Sequence, residues 1–545
     1  MKPTEEQLKA LELFRTGESL KINAFAGAGK TTTLSLLAQD TPKKGLYLAF
    51  NKSIANDASE KFPSTVSCST IHSLAYRAII PHYNSDKLTK SVNANALAQQ
   101  LQLGTWKKDE FSLNARSQGF LILETVKKFT QGVGKEPSTK DVPRHGKLAN
   151  ASQEIVDEVA ALTAARAKVV WERMIDPSNP LPMGHDGYLK LWAQSNPRLL
   201  GDFILLDEAQ DSNPVILDVL SKQKAQIIYV GDRYQQIYEW RGAVNAMETI
   251  ETSHTAYLTK SFRFGNGIAN AASKVLERLG ETHSIQGNDK LKSFFDADQY
   301  DAILTRTNGC AIAETLEALS QGLQPHIVGG TNEMIRLLEG VEALKANTPC
   351  DLPEFFGFTS WHEIVELVKS GEGEQLKTFV NLVEKHGEVK LKQALRRTAA
   401  NESNANIIIS TAHKAKGREW RSVKLANDFF KSAPADGDKL PESEVRLFYV
   451  AITRGKEAIQ IPSQLMEMFG IKKTPGTLRS HKPVEDSSLE DNYSSPGSFT
   501  PAYQSSNSME YRSEVSSPPS VTMTFFGIPW YWWAIMGFVI VLMMN

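Results

Sequence analysis

The residues best suited to chemistry lie in AFAGAGKTTT, residues 24–33, which overlaps the apolar run KINAF. A strand feeding a glycine-rich turn and then a helix leaves backbone N–H groups free to hold phosphate oxygens. Ala26, Gly27, Ala28, Gly29, Lys30, Thr31 and Thr32 are therefore the candidate nucleotide contacts. Lys30 would reach the β- and γ-phosphates, the Thr31 hydroxyl would ligate Mg²⁺, and Gly27 and Gly29 would let the backbone come close. Ala24 stands where the strict GxxxxGK[ST] pattern has its first glycine. Lys30, on an exposed loop, is expected to have little packing role. A second signal, ILLDEAQD at 204–211, is an apolar strand ending in acids. It predicts Asp207 as an Mg²⁺ ligand and Glu208 as the group that polarises an attacking water. Each signal alone has a plainer reading, a chance Gly-rich turn or a solvated helix start. Together they point to hydrolysis of a nucleoside triphosphate by in-line attack of water, with ATP and Mg²⁺ implied.

These residues need elements to hold them. The chain has 545 residues, enough for several domains. Up to about residue 85, short apolar runs (LKINAFA, GLYLAF, TVSCST) alternate with helical stretches, the βαβ pattern of a parallel sheet. A helical zone with few strand signals follows to about 197, carrying Lys127, Lys128, Lys135, Lys140, Arg144 and Lys147. Strand-and-turn alternation returns from about 198 to 462 (DFILLDEA, AQIIYVGD, DAILTRT, NIIIST), broken by a mainly helical stretch at about 336–401. Formal net charge is -1, so any nucleic-acid site must be a local basic groove. The basic cluster at 127–147 reads equally as such a groove and as a solvated helix face. Cys68, Cys310 and Cys350 are far apart and without metal spacing, which argues against a disulfide framework or a zinc site. The N-terminus MKPTEEQLKAL is no secretory signal.

DEAQ resembles the DExQ motif of superfamily 1 helicases, and further motifs resemble those of the UvrD/Rep helicases in order. They are TEEQLKAL with Gln7, YLAFNKSIANDA (47–58), STIHSLAYR (69–77), VGDRYQQIYEWRGA (230–243), LTKSFRFG (258–265), TAHKAKGREW (411–420) and EVRLFYVAITRGK (444–456). FNKSIA and HDGYLKLW (185–192) resemble the F-box DNA helicases within that group; the F-box itself is absent from this sequence. The resemblance covers about 1–470. It implies an α/β fold with two RecA-like parallel-sheet P-loop domains bearing helical insertions. The first domain would comprise 1–85 and 198–260, with a helical insertion at 86–197. The second would comprise 261–335 and 402–470, with a reduced helical insertion at 336–401.

The resemblance implies an ATP site between the two domains. Gln7 would read adenine, Phe262 stack on it and Glu419 bind the ribose. Gln235, Arg263 and Arg454 would contact the γ-phosphate, where a planar guanidinium meets spreading charge bidentately. For DNA, Tyr238 and Trp240 at i and i+2 of an extended stretch point to one side, a base-stacking platform that need not read sequence. Arg241 adjoins them; Phe50, Asn51, Thr70, His72 and His413 align with other DNA-facing positions. The plain alternatives are a core Tyr–Trp pair and, for His72, a satisfied buried histidine.

The expected activity is that of an ATP-dependent helicase on single-stranded and partial-duplex DNA. The resemblance suggests 3′→5′ polarity, a role in recombination or repair, recombinase filaments as partners, and a cytoplasmic (nucleoid-associated) or nuclear location. Two other readings are a translocase that clears proteins without separating strands, and a membrane-tethered scaffold with a vestigial ATPase. After 470 the chain shows no nuclease pattern. Residues 471–520 read as a disordered Ser/Pro-rich linker, and 521–545 as an apolar transmembrane segment. Residues 524–544 lack charge, and a helix of 21 residues spans about 30 Å, the thickness of a bilayer core. Trp530, Trp532 and Trp533 sit where an interfacial belt would. A packed core helix and a segment foreign to the helicase are the alternatives.

Overall fold

Runs such as FILL and IIYV are apolar at every position, which suits strands covered on both faces. The computed structural model describes residues 2–479 except 146–147, 150, 239–243, 349, 351, 371–373 and 431–439, together with Thr524–Phe525 and Ile528–Pro529. Strands β1 (Leu20–Ala24), β2 (Gly45–Ala49) and β3 (Val66–Thr70) come first. A short antiparallel hairpin, β4 (Trp106–Lys108) and β5 (Phe111–Leu113), lies within the helical zone, where few strand signals were read. Strands β6 (Phe203–Leu206), β7 (Gln226–Gly231) and β8 (His254–Leu258) complete a six-stranded sheet in the order β3-β2-β6-β7-β1-β8. Every neighbouring pair in it is parallel.

A second parallel sheet has the order β10-β11-β9-β12-β13. Its strands are β9 (Ala302–Thr305), β10 (Pro325–Ile327), β11 (Ile407–Thr411), β12 (Trp420–Leu425) and β13 (Gly455–Gln460). The α/β class with parallel sheets is thus observed.

Alternation along each strand divides the cores. In β2, Leu46 and Leu48 join a core with Trp171, Leu189 and Trp192 of the helical zone, while Tyr47 and Ala49 pack on the opposite face with Leu34 and Leu37. The helices Gln153–Ile175 and Gly184–Gln194 therefore share the sheet's own core rather than forming a separate one. Four helices, Asn332–Lys345, Trp361–Lys369, Glu374–His386 and Glu388–Arg396, occupy most of the stretch expected to be helical at 336–401.

By its contacts the chain divides at His481 into two units, and the second is described only at four residues. Those four pair as a two-residue antiparallel ladder, Thr524–Phe525 with Ile528–Pro529. They are not helical, which departs from the helix expected over 524–544. Ile528 precedes a proline, whose ring disfavours the helical region for the residue before it. The remainder of 521–545, like 480–520, lies outside the described residues. Among the described residues no helix is long and apolar enough to cross a membrane.

Candidate nucleotide and DNA sites

Strands β6, β7 and β1 are neighbours, so the loops at their carboxyl ends converge at one edge of the sheet. β1 ends at Ala24, whose place inside the strand makes a glycine unnecessary there. Gly27 (φ +73°) and Gly29 (φ +75°) take left-handed backbone that glycine adopts without penalty. A Cβ on Gly27 would lie 2.6 Å from Ser261 Oγ and 2.7 Å from Arg263 Cβ, so this position is glycine because the FR turn of SFRFG presses on it. Lys30 and Thr31 open the helix Lys30–Gln39, presenting its N-terminus to the loop.

Lys30 is not a free side chain: its Nζ lies 2.6 Å from Glu208 Oε1. Glu208 has φ +52°, an uncommon conformation for a residue with a side chain. Its second oxygen accepts from Gln210 Nε2 at 2.5 Å. Burial works against ionising Glu208, but the charges of Lys30 and Lys416 hold its carboxyl down at about 2. Asp207 accepts from the Tyr47 hydroxyl (2.7 Å) and from the Glu208 N–H (2.9 Å). Burial, then the charge of Glu208, raise its affinity for a proton.

The second half of the chain closes the site. Gly27, Gly29, Lys30, Thr31, Thr32, Glu208, Gln235, Phe262, Arg263, Glu419 and Arg454 line one cleft of about 550 Å³. Arg263 Nε lies 2.7 Å from Glu419 Oε2, and Lys456 is 3.3 Å from its other oxygen. Arg454 is buried; it donates to Val450 O (2.8 Å) and to Gln235 Oε1 (3.3 Å). Burial, then the nearby charge of Arg263, push its guanidinium down to about 9. Gln7 lines an adjoining cavity of about 510 Å³ with Phe262, Gly29 and Thr32. Its amide already accepts from Thr4 N (3.0 Å) and donates to Thr33 Oγ1 (3.0 Å). One N–H and one lone pair remain, enough for a two-point contact with a purine edge.

A cavity of about 490 Å³ on the other side of this wall is lined by Phe50, His72, Lys127, Asp186, Asp207 and Tyr238, among others. Phe50, Glu208, Asp211 and Tyr238 border both this cavity and the cleft lined by Lys30 and Arg454. Lys416 joins the halves at that wall, donating to Asp211 Oδ2 and Gln235 O, each at 2.5 Å, and lying 5.0 Å from the Tyr238 ring centre. Burial pushes Asp211 up to about 6 against the pull of Lys416. Tyr238 donates to His413 O (3.3 Å), and both also border a cavity of about 500 Å³ with Arg306, Asn308 and Lys414.

Not every DNA-facing candidate has its side chain turned to that space. Phe50 is exposed. Asn51 and Thr70 instead cap the helices Lys52–Ser59 and Ile71–Ile79, accepting from Ile54 N and Ser73 N. His72 Nε2 lies 3.5 Å from Asp186 Oδ1, which joins HDGYLKLW to the helix Ile71–Ile79. Of the basic cluster, Lys127 reaches the cavity while Lys128 donates to Lys140 O. Trp240 and Arg241 lie outside the described residues. Asp186, Asp211 and Lys416 escaped notice although each sits inside a quoted motif. Tyr47 and Tyr449 escaped because a hydroxyl at the end of a packed ring leaves no signal in an apolar run.

The profile described as UvrD/REP helicase N-terminal domain matches residues 3–254, and that of the UvrD-like helicase C-terminal domain matches 358–464. The chain is similar to "F-box DNA helicase 1" of Gallus gallus, 28% identical over 86% of this chain and 50% of that protein. It is similar to "F-box DNA helicase protein 1" of Schizosaccharomyces pombe, 28% identical over 86% of this chain and 58% of that protein. A third relative, "ATP-dependent DNA helicase PcrA" of Leuconostoc citreum, is 25% identical over 50% of this chain and 39% of its own length. The chain thus spans about half the length of the curated F-box relatives it matches.

Proposed function

This chain belongs to the UvrD-like helicase family, and from that premise we propose that it is an ATP-driven motor that moves along single-stranded DNA and separates the duplex ahead of it. The observation that carries this reading is the shared wall. Phosphate-binding loop, Glu208 and both arginines line one cleft, and Phe50, Glu208, Asp211 and Tyr238 border that cleft and the next cavity together.

The Thr31 hydroxyl and the Asp207 carboxylate are hard oxygen donors of the kind Mg²⁺ takes when phosphates and water complete its shell. Bound there, the ion would neutralise developing charge on the phosphates. The chain's own residues account for the rest. A γ-phosphate at the loop competes with Glu208 for Lys30. As Lys30 turns to the phosphate, Glu208 loses the larger of the two charges that hold its carboxyl down and becomes a better proton acceptor for the attacking water. Arg263 and Arg454 come from the second half of the chain, so hydrolysis depends on closure of the cleft. Gln235 and Tyr238 share one short segment, which links phosphate state to the stacked strand.

We assign the RecA-like halves and insertions the limits given above. We also assign 3′→5′ movement and a role in recombination or repair, at work where DNA and ATP meet in the cytoplasm or nucleus. Partial duplexes with a 3′ or a 5′ overhang, offered with ATP and Mg²⁺, test this. Displacement from the 3′-tailed substrate alone is expected. ATP turnover with no displacement from either would favour a translocase that clears proteins from DNA.

A further inference from the structure

Tyr449 lies in the helix Glu442–Ile452 of the second half of the chain and is fully buried. Its hydroxyl makes two hydrogen bonds, both to the first half. It accepts the Ala26 N–H at 3.1 Å and reaches Asp232 Oδ2 at 2.9 Å. The directions are forced, because a backbone N–H can only donate and a phenol has one proton to give. Burial and the charge of Asp232 keep that phenol protonated.

Each partner leads further. Ala26 precedes Gly27 in the phosphate-binding loop. Asp232 follows β7 and also accepts from Gln235 Nε2 at 2.8 Å, while Gln235 Oε1 accepts from Arg454. The Asp232 N–H donates to Gln210 Oε1, and Gln210 holds Glu208. One hydroxyl thus joins the loop, the acid beside Lys30 and the segment running to Tyr238. The ring packs edge-on against Tyr234 at 6.4 Å, a role that phenylalanine would fill equally.

We propose that Tyr449 is a positioning residue whose hydroxyl ties the phosphate-binding loop to the Gln235–Tyr238 segment, so that nucleotide and single-stranded DNA sense each other through it. The proposal rests on the motor reading above. Without the hydroxyl, the loop and the segment keep their own ligand contacts but lose the bond that makes them move together.

The test is linkage in Tyr449→Phe. The affinity of the full chain for a fluorescent oligothymidylate is measured with and without the non-hydrolysable analogue AMP-PNP plus Mg²⁺, beside kcat and KM for ATP. In the wild type the analogue should shift DNA affinity about fivefold or more, and in Y449F by less than about twofold, with affinity in its absence little changed. DNA-stimulated kcat should fall about tenfold while KM for ATP stays within about threefold, the pattern of an interaction lost after binding. A wild-type shift retained in Y449F overturns the proposal and leaves the motor reading standing. A wild type whose ATP hydrolysis ignores DNA overturns the motor reading and this proposal with it. Should Y449F fail to fold, Asp232→Asn serves instead: Oδ2 accepts from Tyr449 and Gln235 while Oδ1 accepts from the Tyr234 N–H, and an amide has only one accepting end for those three donors. The same loss of linkage is expected there, and retained linkage again overturns the proposal.

Discussion

Lys30→Ala should lower stability as well as activity, because the structure gives Lys30 a partner that the sequence hides. Lys30 and Glu208 are 2.6 Å apart with side chains 16% and 26% exposed. Deleting one member of a buried pair typically costs about 3–5 kcal/mol, because the other is left charged and alone. Here Gln210 still donates to Glu208 and Lys416 still lies near, so about 2–3 kcal/mol is the expected loss. For a domain of the first half's size this lowers the melting midpoint by roughly 4–12 °C. Glu208→Gln leaves Lys30 with Asp207 and Asp232 as counter-charges and should cost only about 1 kcal/mol. The double variant removes both charges, so it should melt above Lys30→Ala alone. All three should lose ATP turnover by about a hundredfold or more, since each lacks a group that meets the phosphates or the water. Thermal melting and steady-state ATPase on the four proteins separate the two effects. A double variant that melts no higher than Lys30→Ala would refute the pairing.

Gly27→Ala puts a Cβ against Ser261 and Arg263 in left-handed backbone; about 1–2 kcal/mol of backbone cost plus the clash should show as a raised KM for ATP and a lower melting point. Tyr47→Phe removes one hydrogen bond from Asp207 and should raise the Mg²⁺ concentration needed for nucleotide binding, read by calorimetry, at a stability cost of about 1 kcal/mol. Burial pushes Lys190 down to about 8, below the ordinary lysine value near 10.4. The folded chain then holds fewer protons than the unfolded one between those values, so this group's contribution makes stability rise as pH climbs through that window. Lys190→Met should flatten that rise in melting profiles. Trp240→Ala should weaken single-stranded DNA binding by about 1–3 kcal/mol while basal ATPase changes little, measured by anisotropy and phosphate release.

How much of this was legible depended on whether a residue's job is local. The strands within KINAF and DFILLDEA were readable because central parallel strands carry apolar runs. β8 (HTAYL), β10 (PHI) and β13 (GKEAIQ) at the sheet edges were not, nor was β12 (WRSVKL) inside its sheet, because the polar residues they carry blur the pattern; the edge strand β3 was readable from TVSCST. Lys30, Glu208, Gln235, Arg263 and Arg454 stand in motifs whose spacing is itself the signal, and one cleft brings them together. Their mutual contacts were invisible. Lys30–Glu208, Tyr47–Asp207 and Lys416–Asp211 join residues 160 or more apart in sequence, or pair two groups each expected to face a ligand. Asn51 and Thr70 show the converse: a motif position suggested DNA contact, while the side chain caps a helix.

The central claim is that one cleft turns over ATP under the control of single-stranded DNA. Its most direct test is the initial rate of ATP hydrolysis by the full chain as single-stranded DNA is titrated in, with duplex of the same sequence as control. The rate should rise and saturate with the single strand, respond weakly to blunt duplex, and vanish in Arg454→Ala at every DNA concentration. A rate that is absent throughout, that is the same with and without DNA, or that survives the loss of Arg454 would contradict the claim.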